Sequence, residues 1–252
     1  MKNSFYAFIA VSALFLYSCK QADSPVTNSK AVTYSGTTMP FGGDSIRSWM
    51  KGNLDGNIFT LTSMGVTFPQ QAYSKLEMDS DMMFMMDLPI TGGSLGHIEV
   101  DWNPHGDPKP SLYTNAHLDV HFFYVDTMKL MAVMAGTDTA TSNMDKKYLP
   151  PDYKLDPFAE AGMGVHAFDT TGKEFGGQPF DYTVAYGYYH GDLYFIEPMI
   201  AKTFLDSKPN ISPVIKQPVL FRKNGVYPTE YSIAHDPGTN TYTISINNFV
   251  SH

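Results

Sequence analysis

His117-Leu118-Asp119-Val120-His121-Phe122-Phe123-Tyr124-Val125 is the run whose reading decides the fold. In a β-strand alternate side chains share a face. Leu118, Val120 and Phe122 then make an apolar face, which needs a core beneath it. His117, Asp119 and His121 make the opposite face. That face offers two imidazoles and a carboxylate to one metal ion, with room for donors from neighbouring strands. The alternative is a polar strand face whose histidines hydrogen-bond to their neighbours.

Short alternating runs of the same kind recur at 57–61, 96–101, 183–186, 193–196, 219–221, 231–234 and 241–247, each bounded by Gly, Pro, Asn or Asp. This punctuation is that of antiparallel strands joined by tight turns. Tyr189-His190-Gly191-Asp192 reads as a hairpin turn, and Asp236-Pro237-Gly238-Thr239-Asn240 as a second turn before the last strand. Helices are expected only at 70–76 behind Pro69, at 128–134 after Asp126-Thr127 with Asp126 as N-cap, and at 198–205. The segment 148–158, with three prolines, reads as a surface loop. Met82, Met83, Met85 and Met86 read as adaptable core rather than as a copper site. The expected fold is mainly β: an antiparallel sandwich or barrel-like sheet with two or three short helices, in one domain spanning 32–252.

The first residues have a different character. Lys2 precedes an apolar run at 5–16 that is too short for a transmembrane helix. Leu16-Tyr17-Ser18-Cys19 then resembles the lipobox of bacterial lipoproteins, which implies a leader at 1–18 and lipidation of Cys19. Residues 19–31 are rich in Ser, Thr, Asn, Gln and Pro, with almost no apolar content, and read as a flexible tether. The expected location is the bacterial cell envelope, with the chain anchored to a membrane rather than spanning it. Cys19 is the single cysteine of the chain, which excludes an internal disulfide, a thiolate zinc site and thiol catalysis.

Seventeen Lys and Arg stand against 25 Asp and Glu, a formal net charge of −8. With no basic stripe, nucleic acid is not an expected partner. Exposed strand edges make a homo-oligomer plausible.

Two further segments carry chemistry. Gly162-Met163-Gly164-Val165-His166 delivers a histidine at the start of an extended stretch. Phe195-Ile196-Glu197-Pro198 buries a carboxylate in an apolar run that Pro198 is expected to end. His97, His190 and His235 sit near turns and carry no motif. No nucleophile elbow, phosphate-binding Gly loop or His-Glu-x-x-His helix is present. The combined expectation is one divalent-metal site with His117, His121, His166 and Glu197 as ligands, and Asp119 orienting a ligand or filling a position. Zinc or another first-row metal suits such nitrogen and oxygen donors. The competing expectation is a non-catalytic binding or assembly protein whose His and Glu cluster is a structural hydrogen-bond network.

Several segments together resemble an uncharacterised family of bacterial secreted proteins and lipoproteins, described as a domain of unknown function, with a Thermus member of known structure. They are Met64-Gly65-Val66-Thr67-Phe68, His97-Ile98-Glu99 with Trp102-Asn103-Pro104, His117 to Phe122, Met163 to His166, Tyr186-Gly187-Tyr188, and Phe195 to Ile200. After Trp-Asn-Pro that family shows Gly-His-x-Pro, whereas Gly106-Asp107-Pro108 puts Asp107 at the His position. The resemblance implies a β-rich envelope domain and no particular reaction. A weaker likeness is to cupins, which set His-x-His on one barrel strand; here three residues separate the histidines.

Overall fold

The computed structural model describes residues 29–92, 95–107 and 112–252. The leader, Cys19 and most of the expected tether lie outside these residues. Among them the chain forms two antiparallel sheets facing each other. The first sheet contains β1 (Lys30–Phe41), β2 (Asp44–Asp55), β3 (Ile58–Pro69), β11 (Asn210–Ile211), β12 (Val226–Asp236) and β13 (Thr241–Ser251). Its order is β1-β2-β3-β13-β12-β11. The second contains β4 (Met82–Gly92), β5 (Leu95–Asn103), β6 (His117–Phe123), β7 (Tyr153–Leu155), β8 (Val165–Asp169), β9 (Tyr182–Tyr189) and β10 (Asp192–Ala201). Its order is β4-β5-β6-β10-β9-β8-β7. Each sheet keeps its own edges, so the architecture is a sandwich and not a closed barrel.

The expected alternation places the core. Leu118, Val120 and Phe122 of β6, with Ile98, Val100 and Trp102 of β5 and Ile196 of β10, pack against Ile46, Met64, Val66, Phe68 and Ile244 of the first sheet. Each such large apolar side chain contributes roughly 1.5–3 kcal/mol when fully buried. The β9–β10 hairpin turns at His190 and Gly191, both with positive φ, +52° and +77°. That conformation matches the right-handed strand twist, and Gly supplies it without a Cβ penalty. The turn before β13 is also present, from Pro237 to Asn240.

Among the described residues four short α-helices appear rather than two or three: α1 (Gln70–Tyr73), α2 (Thr127–Met131), α3 (Thr139–Ser142) and α4 (Lys202–Asp206). As expected, Asp126 caps α2, accepting from the Lys129 backbone N–H at 2.9 Å. The expected helix at 198–205 is corrected to a strand through Ala201 and then α4. Pro198 does not end the strand, because it pairs with Val184 of β9. On the β6 side the ladder lapses at Glu197 and Pro198, where a missing N–H is tolerated.

Residues 219–221 are not a strand; the Leu220 N–H donates to the Lys147 carbonyl at 2.9 Å, and Phe221 stacks on Tyr227. The loop expected at 148–158 contains β7, which adds an edge to the second sheet through β8. Of the methionines expected in the core, Met86 of β4 is fully buried and Met82 half-buried, but Met83 and Met85 are exposed, because strand alternation turns them to the other face.

Candidate metal centre

The outer face of the second sheet is buried too. On one side Tyr113, Phe168 and Phe180 pack with Ala185 and Met199; on the other Leu130 of α2 packs with Phe123, Val125 and Phe195. Between these apolar groups lie the outward side chains of β5, β6, β8 and β10. They include His97, Glu99, Asp101, His117, Asp119, His121, His166 and Glu197, all buried. His121 lies edge-on to Phe195 and His166 stacks on Phe168, so the apolar groups wall the polar ones in.

Three of the expected ligands come together. His121, His166 and Glu197 offer donor atoms all within 4.8 Å of one another. The His121 Nε2 to Glu197 Oε1 distance is 3.3 Å, and that from His166 Nε2 to Glu197 Oε2 is 3.5 Å. His166 is delivered as the motif suggests, after Gly162 and Gly164 at φ +75° and +122°. A side chain on Gly164 would also strike the Tyr188 carbonyl.

His117 stands in a different group, with Asp107 and Asp119. The reason is strand geometry. Residues 117 and 121 are four positions apart, about 13 Å along an extended chain at about 3.3 Å per residue. Two positions, the cupin-like spacing, would bring two rings to one point. Asp119 therefore partners His117, at 3.1 Å from Nε2, and Asp107 approaches the same nitrogen at 3.4 Å. The other ring nitrogen of His117 meets the Asn115 carbonyl at 2.7 Å. Asn103 donates to Asp119 Oδ2 at 2.7 Å. Asp107 thus faces this site.

Glu99 and Asp101 form a third group with His121, whose Nδ1 lies 3.2 Å from Asp101 Oδ2. These two carboxylates and His97 were not singled out from the sequence. The signal was available: residues 97, 99 and 101 repeat on β5 the polar alternation of 117, 119 and 121 on β6. Register sets them opposite, Glu99 against His121 and Asp101 against Asp119. Glu160, at 3.9 Å from His166 Nδ1, sits at the exposed rim. His105 and His190 are exposed, and His235 is bonded to Gln70 and Asn240 on the other sheet.

These groups open on a cavity of about 200 Å³ lined by Asp101, Asp107, Asp119, His121, His166 and Glu197, with Glu160 and Met163 at its wall. Many of the close approaches lack hydrogen-bond geometry. Both nitrogens of His121, Asp101 Oδ2, Asp119 Oδ1 and Glu197 Oε2 are buried without a hydrogen-bond partner. Among the described residues no Lys or Arg pairs with the cluster's carboxylates; their close cationic partners are histidines.

The electrostatics express that imbalance. Burial works to lower the His121 pKa, but the charges of Glu197, Asp101 and Glu99 outweigh it and push it up to about 10. His117 likewise rises to about 11, burial being overcome by Asp119 and Asp107. Burial, with Asp101 adding, raises Glu99 to about 7. Burial also lifts Glu197 well above the usual carboxylate range; His121 opposes the shift and the neighbouring aspartates add to it. His166 is the exception, held down to about 3 by burial and then by the charge on His121. It is a neutral imidazole with a lone pair to give. Protons balance part of the carboxylate charge in this cluster, and a divalent cation would replace them.

No protein-family model matches the chain, and neither curated proteins nor solved structures give a significant match.

Proposed function

We propose that this chain is a lipid-anchored protein of the bacterial cell envelope built around a divalent-metal centre, with His121, His166 and Glu197 as ligands. The observation that carries the reading is the set of buried donor atoms without hydrogen-bond partners around one cavity, in a cluster lacking Lys and Arg. Leaving such atoms bare costs about 1–3 kcal/mol each, and more where they are charged. A bound cation removes that cost at several atoms together. Asp101 would hold His121 from behind, as a carboxylate commonly orients a metal-bound imidazole. Two imidazoles and a carboxylate suit zinc or another first-row ion. Three protein donors leave a coordination position toward the cavity, where bound water would be activated for hydrolysis.

The hydrogen-bond-network reading is supported at one place, the His117 group. There His117 meets the Asn115 carbonyl through Nδ1 and Asp119 through Nε2, and Asn103 donates to Asp119. His117 serves as a fixed imidazolium between Asp107 and Asp119, outside the metal's own donors.

Elemental analysis of the purified protein tests the centre. One divalent ion per chain is expected, falling to a small fraction in His121→Ala and His166→Ala. No metal after reconstitution with zinc, manganese, cobalt or iron(II) overturns the reading. The anchor is tested separately. Cys19→Ser should move the protein from membrane to soluble fractions, and an unmodified soluble wild type would contradict the lipid.

A further inference from the structure

A second cavity, larger than the one at the proposed metal centre, lies elsewhere in the sandwich. It lies at one end of the sandwich, between the sheets, with a volume of about 590 Å³. Met50, Phe59 and Leu61 of the first sheet and Ile90, Leu95 and Leu193 of the second form its apolar wall. The side chains of Phe59, Leu61, Ile90, Leu95 and Leu193 pack on the core yet stay only half-buried, so the sandwich is open at this end. Its size falls in the range of small-molecule pockets.

Lys129, Arg222 and Lys223 also line it, three cations in a chain of net charge −8. Lys223 pairs with Asp192 at 2.6 Å, and Lys129 pairs loosely with Asp126 at 3.6 Å. Arg222 makes no ion pair among the described residues. Its guanidinium is held in place, 4.9 Å over the Tyr148 ring and against the Gly191 backbone. Within the wall, the Tyr124 hydroxyl is buried and has no hydrogen-bond partner.

We propose that this cavity binds an anionic amphiphile, a single acyl chain with a carboxylate head: the chain lies between the sheets and the head pairs with Arg222. A cavity with an apolar wall and a pre-positioned guanidinium without an ion pair among its lining residues is complementary to that chemistry. A neutral chain would leave Arg222 unused, and a free inorganic anion would leave the apolar wall wet. The site stands apart from the metal centre, since none of its lining residues belongs to the metal-binding groups.

The test is calorimetric titration of the full chain carrying Cys19→Ser with decanoate and with decanol, in EDTA so that metal plays no part. One decanoate per chain should bind saturably and more tightly than decanol. Arg222→Ala, an exposed substitution, should weaken decanoate about ten-fold or more while leaving decanol within about two-fold. Leu193→Trp should fill the cavity and block both. Decanoate that does not saturate, decanol binding as tightly, or decanoate binding indifferent to Arg222→Ala would each overturn the proposal.

Discussion

The two faces of β6 are equally buried and differ in everything else. Leu118, Val120 and Phe122 face the other sheet, while His117, Asp119 and His121 face outward beneath a cover of loops. On the inner face burial itself is the stabilising event, because water leaves apolar surface. On the outer face burial is a cost, and the free energy of that face depends on what neutralises it. One face thus has a stability fixed by sequence. The other has a stability set by protons and, on the proposed reading, by metal.

The sharpest way to separate the faces is to truncate the inner one. Phe122→Ala should cost about 3–5 kcal/mol, lowering Tm by roughly 6–20 °C in a domain of this size. The loss should be the same with metal and with EDTA, measured by thermal denaturation followed by circular dichroism. A loss that halves when metal is removed would mean the faces are not independent.

The outer face should instead answer to pH. His121 has a folded pKa near 10 against an ordinary 6.5. A raised pKa stabilises the metal-free fold fully below 6.5, and the benefit is lost as pH rises toward 10. His117, raised to about 11, adds a loss in the same direction. Metal-free protein should therefore lose stability from pH 7 to 10. Metal binding runs the other way, because it requires neutral imidazole and ionised carboxylate. The difference in Tm between zinc-loaded and EDTA-treated protein should widen with pH. A difference that stays flat from pH 7 to 9 would show that zinc and protons do not compete for these groups.

The same contrast explains what could be read in advance. Alternation at 118, 120 and 122 gave both the strand and its core face, because apolar burial is local, additive and periodic. The turn at His190-Gly191 and the Asp126 cap were equally legible, each being decided by a few adjacent residues. The first two strands escaped notice although Gly42-Gly43 joins them as a tight hairpin between Phe41 and Asp44. β1 is largely exposed and so alternates weakly, while β2 buries alternate residues but two of these, Ser48 and Gly52, are not apolar. The helix expected after Pro198 failed because tertiary pairing with β9 overrides local preference. At the site, the types of residue were legible and their grouping was not. Which imidazole meets which carboxylate depends on register between β5, β6 and β10, and no single strand contains that information. Grouping His117 with His121 overlooked the distance that four extended residues cover.

The smallest expected effect is at His190, and it isolates the role of burial from that of residue type. Its ring is 69% exposed, and its Nδ1 lies 3.4 Å from Asp138 Oδ1. Its structural contribution comes from the backbone, whose N–H donates to Asp138 Oδ2 at 2.7 Å. Alanine is the wrong replacement, because φ there is +52° and a Cβ without a compensating polar group is strained. Asparagine tolerates that conformation and keeps the N–H. His190→Asn should leave stability within about 0.5 kcal/mol of wild type. Its metal content should be unchanged, in contrast to His121→Ala. If His190→Asn released metal, donors would have to be sought at the β9–β10 turn rather than on the outer face of the sheet. Unchanged metal with a drop in Tm would instead place the loss in the Asp138 contacts that hold α3 to this turn.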